Sequence, residues 1–206
     1  MATFLSLNPK EKAEITYPFC WQNDTFTQDE LTAIALYGEN LELEKGAVVG
    51  DDGESTTSPN RESSVRFFQP NGNNTWIFEK LSRTLSFVND KYYGFDLTGY
   101  DAVQYTEYST VGAKYDWHMD TIMGSQKSDK MVQTRKLSMT MPLNDPSEYE
   151  GGEFQIQTGL PEQPLVVEQK RGTAIIFPSF MLHRVTPVTS GVRKSIVVWA
   201  VGPKFK

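Results

Sequence analysis

The chain is poor in the two residues that most often advertise chemistry. It has one cysteine, Cys20, in 206 residues. No intrachain disulfide is possible, which favours a reducing compartment. It has two histidines, His118 and His183, so any site that needs two imidazoles must use both. No run approaches the roughly 18 apolar residues of a membrane-spanning helix. The opening stretch MATFLSLNPKEKAE has no basic-then-apolar signal pattern. An intracellular, cytoplasmic protein is expected. Basic residues are outnumbered 20 to 26, for a formal net charge of −6. That argues against bulk nucleic-acid binding, and no basic stripe interleaved with aromatics is present. Internal repeats and low-complexity tracts are also missing.

What is there suits a globular fold. The length fits a single domain, 1–206, with enough chain for a core that needs no staples. Thr27-Gln28-Asp29-Glu30 has the form of a capping box ahead of Leu31, Ile34, Ala35 and Leu36, which predicts a helix over Gln28–Gly38. Ser63–Gln69 reads as a strand. Asn74 is placed to cap a second helix whose stripe is Ile77, Leu81, Leu85 and Val88. From Tyr100 the pattern changes. Strand-like runs recur at Ala102–Tyr108, Lys136–Leu143, Gly152–Thr158, Pro164–Glu168, Gly172–Phe177 and Lys194–Val201, with turns at Asn144-Asp145-Pro146 and Ser190-Gly191. The expectation is a mainly β protein in which an N-terminal helical support, about 1–99, packs on a β core, about 100–206. Two polar segments, Gly50–Asn60 and Thr121–Thr134, read as surface connections that could equally contact a substrate. Cys20 reads as a small buried apolar residue, and Glu150 and Glu153 as turn and strand surface.

Tyr115-Asp116-Trp117-His118-Met119-Asp120 contains His-x-Asp. In extended chain, residues two apart face the same side, so His118 and Asp120 can reach one point. With His183 as a third ligand they make a two-imidazole, one-carboxylate set with open positions, the facial triad of non-haem iron oxygenases. The pair alone fits a surface histidine beside an acid equally well. A second pattern lies downstream. Arg193-Lys194-Ser195-Ile196-Val197-Val198-Trp199, read as a strand, puts Arg193, Ser195, Val197 and Trp199 on one face. An inward guanidinium is costly unless it meets an anion, and a carboxylate fits its planar fork. The face reads as a carboxylate pocket floored by an aromatic. An arginine at a strand entrance, pointing to solvent, is the other reading.

Several segments together resemble the Fe(II)/2-oxoglutarate-dependent dioxygenases of the prolyl 4-hydroxylase-like subgroup. They are Tyr108 to Asp120, Leu137 to Leu143, Tyr149 to Phe154, Gly172 to Pro178, His183 to Val188 and Gly191 to Ser195. The resemblance runs from about Phe19 onward. It implies a double-stranded β-helix, or jelly roll, with helices supporting one sheet. It implies Fe(II) on His118, Asp120 and His183, with 2-oxoglutarate chelating the metal and its far carboxylate on Arg193. Ser195 would assist Arg193, Trp199 would line the pocket, Tyr108 would hydrogen-bond the co-substrate and Tyr115 would line the substrate channel. Where some relatives carry a tyrosine, Ser138, Thr140 and Pro142 share the strand face; either Thr140 takes part of that role or the face merely leaves room. The stretch from Tyr108 to Tyr115 is a residue longer than the commonest pattern.

The activity implied is hydroxylation with O2, releasing succinate and CO2; ascorbate is an accessory cofactor that the resemblance admits. Halogenating relatives lack the carboxylate, so Asp120 implies hydroxylation. Subgroup analogy points to a prolyl residue in a peptide or protein. A free amino acid, a small metabolite, or a cupin-like module that binds metal without turnover are the alternatives.

Overall fold

The computed structural model describes residues 17–45, 48–49, 55–56, 59–121, 133–160 and 162–204. Its elements in chain order are β1 (Cys20–Gln22), α1 (Gln28–Glu39), β2 (Glu44–Lys45), β3 (Val48–Val49), β4 (Ser55–Thr56), β5 (Ser64–Phe67) and α2 (Thr75–Val88). A π-helical turn, Asn89–Tyr93, extends α2. There follow β6 (Gly99–Tyr108), β7 (Tyr115–His118), β8 (Thr134–Pro142), β9 (Tyr149–Gly151), β10 (Phe154–Ile156) and β11 (Leu165–Val167). The last are β12 (Ala174–Pro178), β13 (His183–Val185), β14 (Val188–Gly191) and β15 (Arg193–Gly202). Most of the loop expected at Gly50–Asn60, and residues 122–132 of the one at Thr121–Thr134, lie outside the described residues.

Seven strands form one antiparallel sheet in the order β1-β12-β8-β15-β6-β5-β2, and four form a second, β11-β10-β13-β7. The large sheet buries both faces. Against α1 and α2 it packs Val103, Tyr105, Leu137, Met139, Met141, Ala174, Ile176, Ile196 and Val198. Toward the small sheet it offers Tyr108, Ile175 and Phe177, which meet Phe154, Ile156, Val167 and Val185. β12 alternates between these two cores, so Ala-Ile-Ile-Phe-Pro is apolar throughout and buried throughout. This is the jelly-roll core with helical support that the sequence predicts.

The first helix starts as expected. Thr27 accepts a hydrogen bond from the Glu30 amide, and Glu30 accepts one from the Thr27 amide. Glu30 also pairs with Lys80 of α2 at 2.6 Å, tying the two helices together. Asn74 departs from expectation. It sits at the start of α2 but its side chain does not cap the helix; it accepts from the Asn71 amide and donates to Gln69 and Tyr37, because the preceding turn competes for it. Ser190-Gly191 is not a free turn: both residues pair with β9, closing a small two-stranded ribbon. Nor is the N-terminal part only helical support, since β1, β2 and β5 extend the large sheet. Cys20 lies on β1, buried, with its thiol 3.4 Å from the Tyr93 hydroxyl.

Helix α1 approaches the sheet at Gly38, where an added Cβ would run into the Tyr105 ring and its stem. Tyr105 is fully buried and cannot swing away. Gly38→Ala is therefore expected to destabilise, by at least about 1 kcal/mol, although alanine is the better helix former by about that amount. A urea midpoint at or above that of the parent would refute this.

Candidate metal and co-substrate site

The triad assembles at a cross-strand pair. His118 ends β7, His183 begins β13, and the two are register partners in the small sheet. Their rings stand 4.2 Å apart, centroid to centroid. Asp120 lies two residues beyond the end of β7, not within the strand as the sequence reading has it. Its amide, and that of Thr121, donate to the Ser179 carbonyl, and this turns the carboxylate back toward the imidazoles. One ligand atom from each of His118, Asp120 and His183 falls within 4.8 Å of the others. The Asp120 oxygens lie 3.6 Å from each histidine Nε2.

Each imidazole is oriented by its own backbone. Nδ1–H of His118 donates to the Asp116 carbonyl at 2.7 Å, and Nδ1–H of His183 to the Met181 carbonyl at 2.8 Å. A carbonyl only accepts, so both rings carry the proton on Nδ1 and present the Nε2 lone pair to the shared point. Ser138 of β8 donates to Asp120 Oδ2 at 2.6 Å and accepts from Ser179 at 2.9 Å. Burial and the neighbouring His118 push the His183 pKa down to about 4, against the pull of Asp120. Burial alone would raise the Asp120 pKa, but His183, His118 and Arg135 outweigh it and hold the group well below the usual carboxylate range. A neutral imidazole beside an ionised carboxylate is the form a metal requires.

The rest of the pocket is written on the inner face of the large sheet as successive register pairs: Arg193 with Tyr108, Ser195 with Thr106, Val197 with Gln104 and Thr140, Trp199 with Ala102 and Ser138. Arg193, Ser195, Trp199, Tyr108, Thr140 and Tyr115 all line one cavity with the triad. Its volume is about 420 Å³ counted out to solvent. Arg193 is only 1% exposed. It donates to Ser195 at 3.1 Å and to Gln169 at 3.0 Å, and its guanidinium carbon lies 5.3 Å from the Tyr108 ring centre. None of these is an anion. Its Nε, like Trp199 Nε1, is buried without a hydrogen-bond partner among the described residues. Gly152 lets the arginine pass: a Cβ there would stand 2.8 Å from Arg193 Cδ, at a φ of +61° that disfavours other residues. Tyr115 lies flat on His118, with ring centres 3.4 Å apart and an 11° tilt. Phe154 and Phe177 pack against His183. Glu150 and Glu153 take no part in the cavity.

Sequence reasoning missed several contributors. Gln104 and Thr106 line the cavity, and the alternation Ala102, Gln104, Thr106, Tyr108 carries the same one-sided polar signal as Arg193 and Ser195. Ser138 was legible as a face neighbour of Thr140 but not as the donor to Asp120. Arg61, whose guanidinium carbon sits 4.6 Å from the Tyr115 ring centre, and Gln169 gave no local signal.

Comparisons with known proteins fall on the same elements. Residues 103–201 match the family described as the 2OG-Fe(II) oxygenase superfamily. A PKHD-type hydroxylase of Psychrobacter sp. (strain PRwf-1) is 37% identical over 89 residues, which are 43% of this chain and 34% of the relative. One of Hyphomonas neptunium is 43% identical over 89 residues, 43% of this chain and 38% of the relative. The alignments thus span little more than a third of these curated relatives. Among solved structures, a Pseudomonas putida prolyl-4-hydroxylase superposes with a TM-score of 0.68 at 18% identity, covering 92% of this chain and 95% of that one. A viral collagen prolyl hydroxylase of Paramecium Bursaria Chlorella virus-1 gives 0.66 at 21%, covering 90% and 97%.

Two outcomes are expected of the site. Ser138→Ala leaves Asp120 Oδ2 without its donor and should weaken divalent metal binding by about 10- to 100-fold; a Mn(II) or Co(II) titration that matches the parent refutes this. In the metal-free protein, His183 and Asp120 both have folded-state pKa values below their ordinary ones. Each therefore contributes stability that is present at neutral pH and lost on acidification, the His183 part between about 6.5 and 4. His183→Gln should flatten the fall of the urea midpoint over that range, and an unchanged slope would count against it. The stretch that matches the 2OG-Fe(II) oxygenase superfamily, 103–201, carries the triad and Arg193, and the fold is prolyl 4-hydroxylase-like.

Proposed function

We propose that the protein is an Fe(II)- and 2-oxoglutarate-dependent hydroxylase whose metal is held by His118, Asp120 and His183. The observation that carries this is Arg193, a fully buried guanidinium without an anionic partner among the described residues, in the same cavity as the triad. A buried cation in that state favours an incoming anion. 2-Oxoglutarate suits both ends, with an α-keto acid for the metal and a second carboxylate for the guanidinium. Ser195 holds one Arg193 nitrogen, Tyr108 and Trp199 wall the co-substrate, and Thr140 faces it from β8. What iron supplies there, when bound, is O2 activation coupled to oxidative decarboxylation of 2-oxoglutarate to succinate and CO2, with one oxygen atom delivered to a substrate C–H bond.

The chain's own residues prepare that chemistry. The Met181 and Asp116 carbonyls fix both imidazole tautomers. Ser138 holds the Asp120 carboxylate in a position that would otherwise be open to a halide, so the outcome is hydroxylation. Phe154 and Phe177 keep water from His183, and Tyr115 shields one face of His118. A prolyl residue in a peptide or protein is the substrate class we assign. It is supported by the hydroxylase names of the curated relatives and by fold neighbours that include a Trichoplax adhaerens prolyl hydroxylase in complex with a peptide fragment. Tyr115 lines the substrate channel in this reading. The site is one that a reductant such as ascorbate would sustain by keeping iron ferrous. No described helix is long and apolar enough to cross a membrane.

The test pairs binding with turnover. Arg193→Ala should weaken 2-oxoglutarate binding by at least about 100-fold while Mn(II) binding survives, and His183→Ala should lose the metal. Succinate release should rise on adding prolyl peptides and not on adding free proline. Full 2-oxoglutarate affinity in Arg193→Ala would overturn the co-substrate reading, and stimulation by free proline alone would overturn the substrate class.

A further inference from the structure

Arg193 is gripped by a residue that sits outside the cavity. Gln169 follows β11 by two positions, and its amide oxygen accepts from Arg193 Nη2 at 3.0 Å. With the oxygen committed to a donor, the amide nitrogen must point elsewhere, and it lies buried without a partner among the described residues. Such an orphaned donor carries a desolvation cost. A glutamate at 169 would differ by one heavy-atom identity, would leave no orphan donor and would make a stronger, charge-assisted bond to the guanidinium. The neighbouring carboxylate is also turned away: Glu168 pairs with Lys170 at 3.1 Å on the surface, both side chains more than 70% exposed. Among the described residues the charge of Arg193 is therefore held in place by neutral acceptors, Gln169 Oε1 and Ser195 Oγ.

We propose that Gln169 is a positioning and specificity residue: it orients the Arg193 guanidinium while withholding a counter-ion, and so makes the pocket demand a co-substrate with a second carboxylate. This rests on the co-substrate reading above and adds the residue that sets the preference. The physical reason is competition. A guanidinium already paired with an internal carboxylate gains little from a second one and must pay desolvation of the ligand again, whereas one held by an amide keeps its full field for the ligand. The amide oxygen supplies direction, and its neutrality leaves the charge available.

The experiment measures anaerobic binding to the Mn(II)-loaded full chain of two probes, 2-oxoglutarate and 2-oxopentanoate, which has the same length but a methyl group in place of the far carboxylate. The parent should favour 2-oxoglutarate strongly. Gln169→Glu should weaken 2-oxoglutarate by at least about 100-fold, leave 2-oxopentanoate within a few-fold, and leave metal affinity unchanged, so that the preference collapses. Gln169→Met, which removes the acceptor without adding charge, should weaken 2-oxoglutarate only about 10-fold and keep the preference. A Gln169→Glu protein that still prefers 2-oxoglutarate as the parent does overturns the proposal, as does a Gln169→Met protein that loses the preference. A parent that does not distinguish the probes fails the Arg193 reading itself, a result separable from failure at Gln169 alone.

Discussion

A guanidinium buried to the last per cent, paired with no carboxylate among the described residues, is the constraint around which this molecule is arranged. A charge in that position costs several kcal/mol relative to water unless an anion or good hydrogen bonds offset it. Everything near Arg193 limits that cost without removing it. Ser195 and Gln169 accept two of its N–H groups, the Tyr108 ring faces its charge, and Gly152 gives up a side chain to let its stem through. The strands that carry Arg193, Ser195 and Tyr108 are long and central, with both faces covered. Such an unbalanced cation can be held only in a frame whose stability comes from elsewhere, and here it comes from the apolar contacts of the large sheet with α1 and α2.

The metal end follows the opposite logic. It sets two neutral imidazoles around one carboxylate, and their geometry comes largely from backbone groups: two carbonyls fix the imidazoles, and the Ser179 carbonyl fixes the turn that carries Asp120. Backbone atoms are positioned by register rather than by side-chain choice. The site thus combines an anionic cluster placed largely by main chain with a buried cation placed by side chains.

This division explains what could be read from the sequence. The alternation of Arg193, Ser195, Val197 and Trp199 is a local pattern, and a local pattern survives into the fold because β15 is regular over that span. The two histidines were legible through scarcity. Asp120 lies beside the histidines for a reason the strand pattern does not contain, since it sits past the strand and reaches them through a turn closed by Ser179, 59 residues away in sequence. Ser138 and Gln169 act on partners 18 and 24 residues distant; the strand face marks Ser138 but not its partner, and nothing local marks Gln169. Asn74 was misread because a turn and a helix start compete for the same side chain. β1 was missed because a three-residue strand has no period to detect.

The central strand has a consequence of another kind. Along β15, Ile196, Val198 and Ala200 turn toward the helices, while Arg193, Ser195, Val197 and Trp199 turn toward the cavity. One ribbon of chain therefore holds two independent inheritances, interleaved residue by residue. Drift at one set of positions alters what the protein binds, and drift at the other alters whether it folds. The two are kept apart only by the two-residue pleat, so substitutions can explore new ligands without touching the scaffold. A single inserted or deleted residue would exchange the sets and forfeit both at once.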